Sequence, residues 1–98
     1  IGYLRENGAI VALVKPQFEA GRERLGAGGV VRDPRVHREI LREVRDAVVT
    51  LGLVPVALVA SPLLGPAGNR EFLMEMRRSG IPIDDARIER IVGEEERT

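Results

Sequence analysis

The sequence predicts an α/β domain, a β-α-β unit followed by a further strand. Two apolar runs, residues 9–14 and 53–60, have the length and composition of buried strands. Between them lies one long stretch with apolar residues at helical spacing, opened by Asp33-Pro34. The chain has 98 residues, of which 44% are hydrophobic, enough for one small domain or part of one.

The elements follow in order. Residues 1–7 read as the end of a helix, with Gly8 as its stop. A-I-V-A-L-V over 9–14 is apolar throughout, which predicts a strand buried on both faces and paired in parallel. Pro16 turns the chain off that strand. Residues 17–32 hold four glycines and many charges, so they predict a long loop rather than a regular element. Asp33 is an N-cap and Pro34 the first helical residue. Val36, Ile40, Leu41, Val44, Ala47, Val48 and Leu51 then form one apolar face, and Gly52 stops the helix. Residues 53–60 form the second strand, with Pro55 near its start. Residues 61–69 are a loop by their Gly and Pro content. Over 70–78, Phe72, Met74 and Met76 alternate with Glu71, Leu73, Glu75 and Arg77, a third strand. Residues 81–92 hold a short helix capped by Asp84 or Asp85, with Ile88, Ile91 and Val92 inward; 94–98 is a charged tail. Three strands and one strong helix leave a sheet face and an edge to cover. The chain is therefore expected to be the last part of a larger domain, or to form a homo-oligomer through the exposed sheet edge.

Composition excludes several classes. There is no Cys and one His, His37, so neither a thiolate nucleophile nor a histidine metal cluster can be built. Net charge is zero, which argues against a uniformly basic nucleic-acid binder but not against a basic patch. No run reaches the roughly 20 apolar residues of a spanning helix, and no signal peptide opens the chain. A cytoplasmic location without membrane contact is the expectation. Aromatics are 3%, so stacking on bases is not a main binding mode.

Fourteen of the fifteen basic residues are Arg; the exception is Lys15. A position that stays Lys in so Arg-rich a chain can be one that needs an amine, because an amine gives up its proton and a guanidinium does not. Lys15 follows six apolar residues, which would partly desolvate it and suit it to general-base work. The plain alternative is a lysine snorkelling from a strand end. Ligands of open α/β sheets bind beyond the strand carboxyl ends, which is where Lys15, the glycine loop and residues 61–69 all fall. Glu71, opening the third strand, can reach that edge or be an ordinary surface carboxylate. The glycines of 26–29 lack the Gly-Lys-Ser/Thr ending of a phosphate loop. Between residues 20 and 45, seven arginines outnumber four acids. Arg22, Arg24, Arg32 and Arg35 are the candidate RNA contacts there. The alternative is a helix face salt-bridged at i,i+4 spacing. His37 reads as a surface or capping residue.

V-K-P-Q-F-E over residues 14–19, G-G-V-V-R-D over 28–33 and G-P-A-G-N-R-E-F over 65–72 together resemble the TlyA, or haemolysin A, family of bacterial FtsJ-like RNA methyltransferases. The resemblance covers nearly the whole chain before the tail. It implies the C-terminal part of a class I, Rossmann-like, S-adenosylmethionine-dependent methyltransferase sheet in residues 1–80. Residues 81–98 then form a short helix and charged tail. It implies 2′-O-methylation of cytidine ribose in ribosomal RNA, with ribosomal RNA or subunits as partners. It also implies a catalytic Lys-Asp-Lys-Glu set, whose third member falls on Lys15 and whose fourth falls on Glu71. The first Lys, the Asp and the main cofactor-binding loop have no counterpart here, so the isolated chain is expected to be inactive. Two other classes stay open on the residues alone: a non-catalytic RNA- or partner-binding module, and a membrane-active haemolysin.

Overall fold

The computed structural model describes residues 8–96. The helix end expected over residues 1–7 lies outside them. The elements are β1 (Ile10–Val14), α1 (Pro16–Glu19), α2 (Pro34–Thr50), β2 (Val54–Ala60), β3 (Phe72–Arg77) and α3 (Asp85–Glu96). Short 3-10 turns at Arg22–Arg24, Ala27–Gly29 and Pro66–Gly68 are what regular structure the glycine-rich stretches carry.

The sheet order is β1-β3-β2. β3 runs antiparallel to both neighbours, with Val14 opposite Phe72 on one side and Ala60 opposite Phe72 on the other. β1 and β2 are thus parallel to each other, as a β-α-β unit requires, but they are not neighbours. The expected direct parallel pairing is replaced because the third strand returns between them and satisfies an edge of each. Pro55 is accommodated by a register shift between Pro55 and Ala57.

One face of the sheet holds the core. Phe72, Met74 and Met76 of β3 meet Val14 and Leu58, with Ile40, Leu41 and Val48 of α2 and Ile88, Ile91 and Val92 of α3 packed over them. The period-two alternation of β3 therefore faces Phe72, Met74 and Met76 inward. The other face is open: Val11 is 61% exposed, Leu13 46% and Val59 47%. The continuous apolar runs predicted strands covered on both faces. Within this chain both long helices lie on one face, so each strand has one bare side.

α2 forms for the reasons its sequence gives. The Asp33 side chain accepts the Arg35 backbone N–H at 2.9 Å, and Pro34 occupies the first turn. Gly52 takes φ of +86°, a left-handed stop that a side chain would oppose. Ala47 and Leu51, expected on the inner face, are exposed at the helix end. The charged face is tied to other elements rather than at i,i+4: Arg38 pairs with Glu89, and Arg45 reaches Asp85 at 2.7 Å. Asp84 caps α3 by accepting the Arg87 N–H at 2.9 Å. α3 continues through Glu96, past the end expected near Val92. No helix among the described residues is long and apolar enough to cross a membrane.

Candidate active site at the strand edge

The ladder ends with Val14 paired to Phe72, so Lys15 directly follows β1 and Glu71 directly precedes β3 at the same end of that pair. Lys15 is still in extended backbone, with φ −112° and ψ 96°. Val14 and Phe72 face the core, while beyond the strand ends Lys15 is half-buried and Glu71 is buried. The Glu71 carbonyl also accepts the Ser61 N–H at 2.8 Å, carrying the ladder to the end of β2. Two residues 56 positions apart in the chain are thereby brought to one edge, beyond the carboxyl ends of β1 and β2.

Glu71 is 6% exposed, and its carboxylate accepts a hydrogen bond from Gln17 Nε2 at 2.8 Å. Gln17 is itself buried on the one-turn helix α1, where Pro16 sets the turn directly after Lys15. Gly65 packs against the same carboxylate, and a Cβ there would clash with Glu71 Oε2. Lys15 is half-buried and makes no ion pair among the described residues; its Nζ lies 5.6 Å from the centroid of the exposed Phe18 ring.

The turn that delivers Glu71 is pinned by Asn69, 1% exposed. Asn69 Oδ1 accepts the Val31 N–H at 3.0 Å, and Nδ2 donates to the Gly29 carbonyl at 3.2 Å. The Gly65 N–H donates to the Asn69 carbonyl at 2.7 Å and closes the turn. The two glycine-rich loops are therefore one unit. His37 belongs to it as well. It was expected at the surface, but it is 5% exposed, with Nε2 3.0 Å from the Val31 carbonyl and its ring edge-on to Phe72. An apolar partner on each side and a buried carbonyl suit an imidazole at this place.

The four candidate RNA arginines divide. Arg24 is bound to Glu43 at 2.8 Å, to Glu39, and to the Ala20 carbonyl. The hydrogen bond it donates to Glu43 holds its guanidinium more firmly protonated than usual. Arg35 spans back to Asp33 at 3.3 Å. Arg22 and Arg32 are exposed and carry no ion pair among the described residues; Arg32 donates to the Ala27 carbonyl. Arg32 and Arg70 line a pocket of about 260 Å³ that also includes Pro34, His37, Ala67 and Val92. Among the described residues no group of His, Asp or Glu is disposed to hold a metal ion.

The family model of the FtsJ-like methyltransferases matches residues 3–78, and the chain belongs to that family. It is 40% identical over 93 residues to the "Putative rRNA methyltransferase YqxC" of Bacillus subtilis (strain 168), which covers 90% of this chain and 33% of that protein. It is 42% identical over 77 residues to the "16S/23S rRNA (cytidine-2′-O)-methyltransferase TlyA" of Mycobacterium tuberculosis (strain H37Rv), covering 79% of this chain and 29% of that one. A solved "Putative hemolysin from Streptococcus thermophilus" superposes with a TM-score of 0.84 at 38% identity, over 96% of this chain and 34% of its own. The chain thus spans about a third of the length of these relatives. Its three-stranded sheet and helices are the C-terminal part of the methyltransferase fold.

FtsJ-like methyltransferases generally use S-adenosylmethionine. The pocket that carries Arg32 and Arg70 does not fit it, because a cationic lining opposes a sulfonium. The other pocket is a shallow apolar groove on the open sheet face, lined by Val11, Ala57, Val59 and Leu73, with Glu75 its one charged residue.

Proposed function

We propose that this chain is the acceptor-handling C-terminal part of an RNA ribose 2′-O-methyltransferase. Its substrate is cytidine in ribosomal RNA, and it works in the cytoplasm on ribosomal RNA or subunits. The methyl group comes from S-adenosylmethionine held by the remainder of the parent protein. Family membership supports the reaction class. The observation that supports the reading is the last β1–β3 pair, Val14 with Phe72, which puts the residues flanking it, Lys15 and Glu71, at one end of the sheet. The name of the tuberculosis relative supports the choice of cytidine and of the 2′ oxygen.

In this reading Lys15 takes the proton of the ribose 2′-hydroxyl as that oxygen becomes the nucleophile. Glu71 balances the charge that then develops on the lysine. The rigid strand edge supplies orientation, which is a large share of rate in a displacement at carbon. Arg22 and Arg32 hold phosphates of the RNA. The isolated chain is inactive, because it lacks the part that holds the methyl donor.

Lys15→Arg in the full-length protein separates this reading from a binding module. It keeps the charge and removes the amine. Methylation of unmodified ribosomal subunits is expected to disappear while RNA affinity stays within about twofold. Methylation at the wild-type rate by Lys15→Arg would sink the role given to Lys15.

A further inference from the structure

We propose that Gln17 is the positioning residue of the Lys15–Glu71 pair, a role that rests on the methyltransferase reading above. Three observations carry it. Gln17 Nε2 is bonded to Glu71 at 2.8 Å, with both side chains more than nine-tenths buried. Gln17 Oε1 is buried with no donor. Lys15, which follows β1 where Glu71 leads into β3, makes no ion pair with Glu71.

The carboxylate is engaged by an uncharged donor and backed by Gly65, which has no side chain to displace it. The consequence is chemical. A lysine held in an ion pair has its amine turned to the carboxylate rather than to a substrate hydroxyl. A glutamine satisfies the carboxylate without adding charge and leaves the amine unpaired. The unpartnered Oε1 strengthens the argument. Because no donor meets it, no other hydrogen bond in the described structure fixes which way the amide points. Glu71 orients Gln17 as much as Gln17 orients Glu71, and the two act as a unit.

Units of this kind are recognised by non-additivity. The experiment is a double-mutant cycle on methyl transfer by the full-length protein, using Gln17→Leu, Glu71→Gln and the double variant. Gln17→Leu is expected to lower kcat about 10- to 100-fold, the weight of one hydrogen bond to a charged group. KM and RNA affinity should stay within about twofold, since Gln17 does not hold the RNA. In the Glu71→Gln background the same change should cost nothing further. Gln17→Met keeps the approximate size, adds no charge and removes the donor, so it should match Gln17→Leu even if the branched variant folds poorly. Wild-type kcat in both Gln17 variants, or losses that multiply in the double variant, would overturn the proposal. A loss confined to KM would do the same. Failure of the underlying reading looks different: the unsubstituted protein would then transfer no methyl group to RNA, and the proposal would fall with it.

Discussion

Asn69→Ala tests whether the site is held in place by the junction of its two loops. The substitution strips the acceptor from the buried Val31 N–H and the donor from the Gly29 carbonyl. A buried donor left without a partner costs about 1–3 kcal/mol. The Gly29 bond is only part-buried, so water replaces most of it and its loss adds less than about 1 kcal/mol. The sum is roughly 1–4 kcal/mol, which corresponds to about a 5- to 800-fold more frequent opening of the segment around Val31. Native-state hydrogen exchange on the full-length protein reads this directly. The Val31 amide should lose that protection, while amides in the middle of α2, such as Leu41, keep theirs. Unchanged exchange at Val31 would refute the idea that Asn69 joins the loops. An equal loss at every amide would show that it acts on global stability instead.

Three further outcomes follow from the same geometry. Glu71→Gln keeps the shape of the carboxylate and removes its charge, so methyl transfer should fall at least about tenfold with little change in RNA affinity, measured by turnover and filter binding. Arg22→Ala and Arg32→Ala should each weaken RNA binding and make it less steep in salt, by about one unit of slope per lost phosphate contact. Arg24→Ala, whose guanidinium is committed to Glu43 and Ala20, should instead lower thermal stability and leave the salt slope unchanged. Acid should weaken the fold through Asp85 and Asp33. The hydrogen bond from Arg45 holds the Asp85 carboxyl below its usual range, and the Arg35 backbone N–H does the same for Asp33. A carboxyl lowered in the folded state stabilises above its unfolded value, near about 4, and that contribution is lost as pH falls through the folded value. Denaturant midpoints for Asp85→Asn should therefore fall less steeply below about pH 4 than those of the unsubstituted protein.

The elements were legible in the sequence because each rests on local chemistry. Asp33-Pro34 starts α2, Gly52 stops it, and the alternation of Phe72, Met74 and Met76 marks a strand. Strand order was not legible. Nothing local in residues 70–78 says that they return between β1 and β2, and without that return Lys15 and Glu71 have no reason to lie at one end of the sheet. The two were singled out separately, by an isolated lysine after an apolar run and by a motif; the ladder is what joins them. Gln17 was passed over because a glutamine in a Gly-rich, charged stretch has no periodic signature, and its significance lies in a partner 54 residues away. His37 was misplaced for a related reason. Its position on the helix face is intermediate, and only the Val31 carbonyl and the Phe72 ring make it a core residue. Asn69 was visible as part of a turn, but a turn residue that also pins a distant loop cannot be told from one that does not. The open sheet face was foreseen from the shortage of covering helices, whereas the burial of β1 on both faces that its apolar run predicts is not found, since Val11 and Leu13 are exposed.

The most direct test of the account is methyl transfer from labelled S-adenosylmethionine to unmodified ribosomal subunits, followed by digestion of the RNA to nucleosides. The full-length protein and its Lys15→Ala variant are run side by side. The account predicts label in 2′-O-methylcytidine with the unsubstituted protein and none with the variant. Label on a base, or equal label from both proteins, would contradict it.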